Sequence, residues 1–337
     1  MLDDRKAAIL RAVVEEYVET AQPVGSSHLA RSAELDVSPA TIRNEMAALE
    51  RDGFLAQPHT SAGRIPTEKG YRFFVDAIDS PGLVPAQRQK VRAFFDRAHG
   101  ELEQMLAETS RMLSDLTTHT AVVVAPAAER GVVRSVQLVA LSPRVVLVVV
   151  VLGNGTIEKR TVEMAADVLD ETVAVASSRL AARAVGHPVA ALAGRPAGSG
   201  GSAGSAAVEE LLAGAVAALT GPGDDEAEHV FVGGAARTAQ AFDAVQTVRR
   251  VLELLEHQLV VVSLLHDVID RGMTVAIGSE TRLEPLAECS VVVAPYEVDG
   301  ERAGTIGVLG PTRMNYSQAL AAVATVSERL GRRLREG

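Results

Sequence analysis

Residues 38–67, "SPATIRNEMAALERDGFLAQPHTSAGRIPT", constrain the fold more than any other stretch of this chain. Ser38 is a good helix N-cap, Pro39 suits the first helical position and Gly53 stops the helix. Between these signals Ile42, Met46 and Leu49 fall on one stripe. Ala40, Asn44, Ala47 and Arg51 fall on the opposite side, with Thr41 and Arg43 on its flanks. Beyond Gly53 the turn-rich sequence predicts a strand over 54–59, a turn and a second strand over 64–67, with Gly63 supplying a positive φ. A capped helix running straight into a tight hairpin leaves few arrangements for what precedes it.

What precedes it is also helical. Residues 5–20 place Ile9, Leu10, Val13, Val14, Tyr17 and Val18 on one face, and "QPVG" ends the run. A short second helix is expected from Ser26 through Leu29 and Ala30. Three short helices, the third polar on its outer side, and then a hairpin make the winged helix-turn-helix pattern, whose third helix enters the major groove. Asn44 can pair bidentately with adenine, and Arg43 or Arg51 with guanine or phosphate. The small Ala40 and Ala47 let the backbone approach and can touch a thymine methyl. Ser38 and Thr41, at a helix N-terminus, suit a phosphate. Arg64, beside Gly63, is expected at the wing tip, within reach of a minor groove or phosphate. His59, Thr60 and Ser61 on the wing and Lys69 just after it complete the candidate DNA contacts. Lys69 and Arg72 read equally well as contacts or as solvated helix charges.

Charge tempers this reading. The chain of 337 residues carries a net charge of −10, and residues 1–75 hold 9 Lys/Arg against 11 Asp/Glu. A nucleic-acid surface must therefore be a local patch and not a basic domain. Length suggests two or three domains, and an apolar content of 47% is ample for their cores. The single cysteine, Cys289, excludes a disulfide framework and fits a reducing compartment. An acidic start, "MLDDRK", predicts no signal peptide, and the longest apolar run, "VVLVVVVL" at 145–152, is too short for a membrane helix. That run reads as a buried central strand, and the protein as cytoplasmic.

"DSPGLVP" at 79–85 reads as a linker, followed by one long amphipathic helix over 91–116. Its stripe of Val91, Phe95, Ala98, Leu102, Met105, Thr109, Met112 and Leu116 suits a coiled-coil seam or, with Phe94, Leu106 and Leu113 widening it, packing on its own domain. The second reading is the stronger. Strands follow from 121, alanine-rich helices over 167–193, then the low-complexity "GRPAGSGGSAGS" at 194–205. A helical stretch over 238–258, further strands and a closing helix at 317–334 complete an α+β chain interrupted by an insert.

No catalytic or metal-binding constellation is evident, and no cofactor motif. "SLLHDVID" places Ser263, His266, Asp267 and Asp270 together, yet lacks the elbow that a serine nucleophile uses. "GVLGPT" at 307–312 lacks a Walker lysine and reads as a turn after a strand.

"VSPATIRNEMAALERDGFLAQPHTSAGRIPTEKGYRFFVD" (37–76) and "GTIGVLGPTRMNYSQAL" (304–320) closely resemble the two ends of the HrcA family of heat-inducible transcription repressors. The resemblance covers nearly the whole chain. It implies a winged-helix domain (1–79), a linker helix and the first part of a GAF-like α/β domain (80–165), an inserted dimerising domain (166–244) and the rest of the GAF-like domain (245–337). It further implies a homodimer that binds double-stranded DNA at an inverted-repeat operator, represses chaperone operons until heat stress, and is modulated by a GroEL-type chaperonin. Ser27 stands where a basic residue is expected in many relatives. Two other classes compete: a small-molecule-gated regulator using the GAF-like domain as its sensor, and an enzyme carrying a DNA-binding appendage, which lacks any candidate catalytic residues.

Overall fold

The computed structural model describes residues 2–32, 37–59, 62–79, 82–98, 102–125, 132–153, 157–192, 206–220, 229–237, 242 and 245–336. Helices α1 (Asp4–Thr20), α2 (Ser26–Ser32) and α3 (Pro39–Arg51) open the chain. Asp3 caps α1 by accepting from Lys6 N at 2.9 Å, and Ala21 ends it in the left-handed region at φ 53°. Helix α3 stops as its sequence dictates. Gly53 takes φ 79°, and Gly53 N and Phe54 N donate back to the Glu50 and Leu49 carbonyls. This crossed pair of bonds satisfies carbonyls that a helix end otherwise orphans, and glycine adopts the turn without a Cβ clash. Ile42, Met46 and Leu49 point inward against Ile9, Leu10, Val13 and Val14. Truncating a fully buried isoleucine such as Ile42 to alanine costs about 2–5 kcal/mol.

The hairpin is shorter than its sequence suggests. Strands β1 (Leu55–Ala56) and β2 (Ile65–Pro66) pair antiparallel over two residues each, and Arg64 bridges to Val24. Helix α4 (Glu68–Asp76), capped by Thr67, then leads toward the body of the molecule.

The expected long helix over 91–116 is two helices, α5 (Pro85–Arg97) and α6 (Leu102–Thr117). Ala98 turns extended at ψ 103°, which breaks the continuous seam a coiled coil would need. Val91, Phe95, Leu106, Leu113 and Leu116 are instead buried in the protein's own core, continuous with that of the N-terminal helices.

Strand β3 (Thr120–Val124) enters the main sheet. The chain then leaves it for β4 (Val133–Ser142), β5 (Val145–Leu152), β6 (Ile157–Glu163), α7 (Asp170–Ala184) and α8 (Ala206–Thr220). It returns as β7 (Val230–Gly233), followed by α9 (Val245–Glu256), α10 (Gln258–Asp270), β8 (Val275–Ile277), β9 (Cys289–Val298), β10 (Glu301–Pro311) and α11 (Tyr316–Glu336). Among the described residues the main sheet runs β7-β3-β10-β9-β8, antiparallel throughout. Its alternating side chains feed two cores. Ala121, Val123, Ile306 and Val308 join the core under α6 and α11, while Val122, Val124, Val291 and Val293 join the one under α9 and α10.

The boundary expected at 166 lies too late. Strands β4–β6 pair only with one another among the described residues, and they share a separate core with α7 and α8. The inserted unit therefore begins between Val124 and Val133 and ends before Val230, whose strand is hydrogen-bonded to β3. The "VVLVVVVL" run is central in its sheet but buried on one face only. Val146, Val148, Val150 and Leu152 are inward and Val145, Leu147, Val149 and Val151 half-exposed. The runs at 194–205 and 221–228 lie outside the described residues. No described helix is long and apolar enough to cross a membrane.

Candidate nucleic-acid interface

The outer face of α3 is presented as the spacing of its residues predicts. Ala40, Arg43, Asn44 and Arg51 are exposed and Ala47 is half-exposed. Arg43 and Asn44 bond to no other described residue, so both side chains are available to a partner. Arg51 leans back on the Ala47 carbonyl at 3.4 Å, a marginal contact. At the start of the helix Ser38 accepts from Thr41 N at 3.2 Å, and the two hydroxyls lie 3.0 Å apart. Ser38 thus does the capping, and Thr41 is half-buried beside it.

The hairpin side differs from expectation. Thr60 and Ser61 lie outside the described residues. His59 is exposed, and its carbonyl takes Ala62 N. Arg64 is not at a tip. Its backbone pairs with Val24 at 2.9 Å in both directions, and its guanidinium holds Glu50 of α3 at 2.8–2.9 Å. The arginine fastens the base of the hairpin to the back of α3. Gly63 does not carry a positive φ either. A Cβ there would meet Val24 O at 2.4 Å and Pro23 C at 2.7 Å, so glycine is required for close backbone approach. Lys69 donates to the Asp52 carbonyl at 2.7 Å over the Phe54 ring, and so completes the C-terminal cap of α3.

Two predictions follow from these placements. Arg64→Ala is expected to cost about 1–2 kcal/mol of stability through loss of a half-buried charged hydrogen bond, measured by denaturant unfolding. The slope of DNA affinity against salt should then stay unchanged, and a slope flattened by about one counterion would restore a phosphate contact. Gly63→Ala should destabilise by about 1–3 kcal/mol, because backbone atoms cannot yield as side chains do; an unfolding midpoint equal to wild type would contradict the close approach.

Sequence reasoning missed how the N-terminal unit is held. Arg72 donates to Glu280 at 2.9 Å and to the Val275 carbonyl at 2.8 Å, while Glu68 accepts from Ser279 N at 3.0 Å and from its hydroxyl at 2.5 Å. Tyr71 and Tyr316 bring their rings within 5.8 Å. These partners lie more than 200 residues apart, and no local pattern announces them. The "SLLHDVID" residues sit on α10, where Asp267 is bound by Arg271 and Arg282. Among the described residues no group of three metal-ligating side chains comes together. Burial, with Glu288 nearby, pushes the Cys289 thiol up to about 12, which makes it a poor nucleophile.

A small helical unit that presents two unengaged side chains, a cation and an amide, from one exposed helix, anchored on a larger mixed α/β body, has the form of a regulator that reads another macromolecule. Comparison with known proteins supports that class. The model for the HrcA protein C terminal domain matches residues 103–320. The heat-inducible transcription repressor HrcA of Pseudarthrobacter chlorophenolicus is 40% identical over 338 residues, covering 98% of this chain and 99% of its own. That of a Nocardioides species is 39% identical over 345 residues and covers all of both. The crystal structure of a hypothetical protein superposes with a TM-score of 0.65 at 20% identity, covering 100% of this chain and 99% of that one, which shows a shared fold. The chain belongs to the HrcA family of heat-inducible transcription repressors.

Proposed function

We propose that the protein is a dimeric repressor of chaperone operons that binds an inverted-repeat operator through its N-terminal unit, read as a winged helix, and releases it under heat stress. The observation that carries the reading is the outer face of α3, where Arg43 and Asn44 are exposed and unengaged beside the small Ala40 and Ala47. The hairpin serves as the wing, with His59, Thr60 and Ser61 as its candidate contacts, while Arg64 and Lys69 hold it and α3 in register. The five-stranded sheet with helices on both faces is the part read as GAF-like.

The inserted unit is read as the dimerising element. Its sheet buries one face on α7 and α8 and leaves the other uncovered by any described residue, with Val139, Leu141 and Ile157 exposed around Leu147, Val149 and Val151. An apolar sheet face of this kind suits a second copy of the chain related by a two-fold axis, which matches the two-fold symmetry of an inverted repeat. Operator titration with and without changes to α3 and to this face tests the reading.

Chaperonin modulation fits the same physics. Strand β3 of the main sheet pairs non-locally, with β7 and β10 far along the chain, so these aliphatic strands stay exposed during folding and are prone to aggregate. A chaperonin that rescues such chains raises the folded, dimeric fraction by mass action, and heat withdraws it by supplying other clients. Protein diluted from denaturant should therefore regain more operator-binding activity with chaperonin and ATP than without. No gain, where unassisted refolding is incomplete, would require another sensor.

A further inference from the structure

The N-terminal unit and the main body enclose a cleft of about 790 Å³ that the DNA-binding reading does not use. Glu15, Val18 and Glu19 of α1 and Phe74 of α4 form one wall. The other wall is Thr117, Thr118 and His119 where α6 passes into β3, Arg237, and residues 311 and 313–318 from the end of β10 to the first turn of α11. The volume lies in the range of small-molecule sites, which occur preferentially where two units meet.

The body-side wall is built of cation-forming groups and donors. Burial, with Arg313 and Arg237 nearby, pushes the His119 imidazole down to about 4, so it is neutral near pH 7. Arg237 is steadied by the Ser114 carbonyl at 3.2 Å and by Asp115. At the start of α11, Asn315 accepts from Gln318 N at 3.0 Å, while the Tyr316 and Ser317 N–H groups have no partner among the described residues. That end of a 21-residue helix adds favourable potential for an anion.

Two further features mark the place. His119 Nδ1, packed against Gly310, is buried without a hydrogen-bond partner among the described residues. Native structures leave few such atoms, and one in the wall of a cleft calls for a physical cause. Thr118 holds φ 62°, a conformation costly for a β-branched residue.

We infer that this cleft is a binding site for a phosphate monoester of a small organic molecule. The phosphate is held by Arg313, Arg237 and the first turn of α11, and the organic part lies along Phe74 and Val18 toward Glu15 and Glu19. Two guanidinium groups with backbone N–H donors match the charge and the several acceptor oxygens of a phosphate. The apolar surface of Phe74 and Val18 takes a ring or carbon chain, and the two carboxylates across the cleft select a body that carries hydroxyl or amino donors. Such a ligand would touch the N-terminal unit and the body at once. The inference does not depend on which DNA, if any, the protein binds.

Phenyl phosphate is a suitable probe, titrated calorimetrically into the full chain with chloride holding the ionic strength constant. Saturable binding of one molecule per chain is expected, tighter than that of inorganic phosphate. Arg313→Gln should weaken it by about tenfold or more. Glu15→Gln, a change at an exposed position, should tighten it about threefold by removing a like charge from the facing wall. Absence of saturation in the wild type, or an affinity that neither substitution moves, overturns the assignment. If Arg313→Gln does not fold, the Glu15→Gln titration decides alone.

Discussion

Val149→Asp is expected to convert the proposed dimer to a monomer and to weaken operator binding by at least about tenfold, because each half-site alone supplies only one small module's contacts. Val149 is at the centre of the uncovered face of the insert's sheet, directly opposite Gln137 on one neighbouring strand and Lys159 on the other. In a monomer the new carboxylate faces water and the Lys159 ammonium, so the fold should tolerate it. Packed against a second copy, the same carboxylate would be desolvated at an apolar contact, which is strongly unfavourable. Net charge sharpens the effect. With 11 acidic against 9 basic residues in 1–75, the N-terminal unit has little non-specific attraction for DNA to compensate for a lost partner. Sedimentation and operator titration of the same preparation check the two halves of this prediction. A variant that remains dimeric would move the interface to another face.

The second large effect is expected at Asn44. Its amide is exposed, unengaged and one turn into α3, where a helix laid in the major groove meets base edges. Asn44→Ala should cost about 1–3 kcal/mol on the operator and little on random duplex, since a bidentate pair with adenine carries sequence information and little of the general attraction. Arg43→Ala should behave similarly if it reads guanine, and should weaken both duplexes alike if it holds phosphate. The fold should survive either change, because neither side chain bonds to another described residue. Equal losses on both duplexes for Asn44→Ala would remove α3 from the reading role.

How far the sequence reveals this depends on the range of each interaction. Helix α3 was legible because its signals are local: a serine cap, a proline at the first position, a buried stripe and a glycine whose φ of 79° closes the helix. The exposed face followed from the same periodicity. Arg64 was misplaced because its partner is Glu50, on a different element, and because its backbone pairs with Val24, forty residues earlier. Gly63 signalled a turn, as glycines beside charges often do, while its real requirement is the carbonyl of that distant valine. Similarly, β4–β6 look like any other aliphatic strands; only their pairing with one another, and not with β3, separates the insert from the main sheet. The break between α5 and α6 was hidden by a heptad-like stripe that continues through it. The cleft at the junction was the least legible feature. Its walls come from residues 15, 18, 19, 74, 117–119, 237, 311 and 313–318, and no single stretch contains enough of them to suggest a site.

The central claim is that this chain reads a specific inverted repeat. The most direct test is a gel-shift titration of the full chain on an inverted-repeat operator and on a scrambled duplex of equal length, at two salt concentrations. The account predicts that the repeat is bound at least about a thousandfold more tightly than the scrambled duplex near physiological salt, and that the preference persists as both affinities fall with added salt. Equal affinity for the two duplexes at both salt concentrations would contradict it.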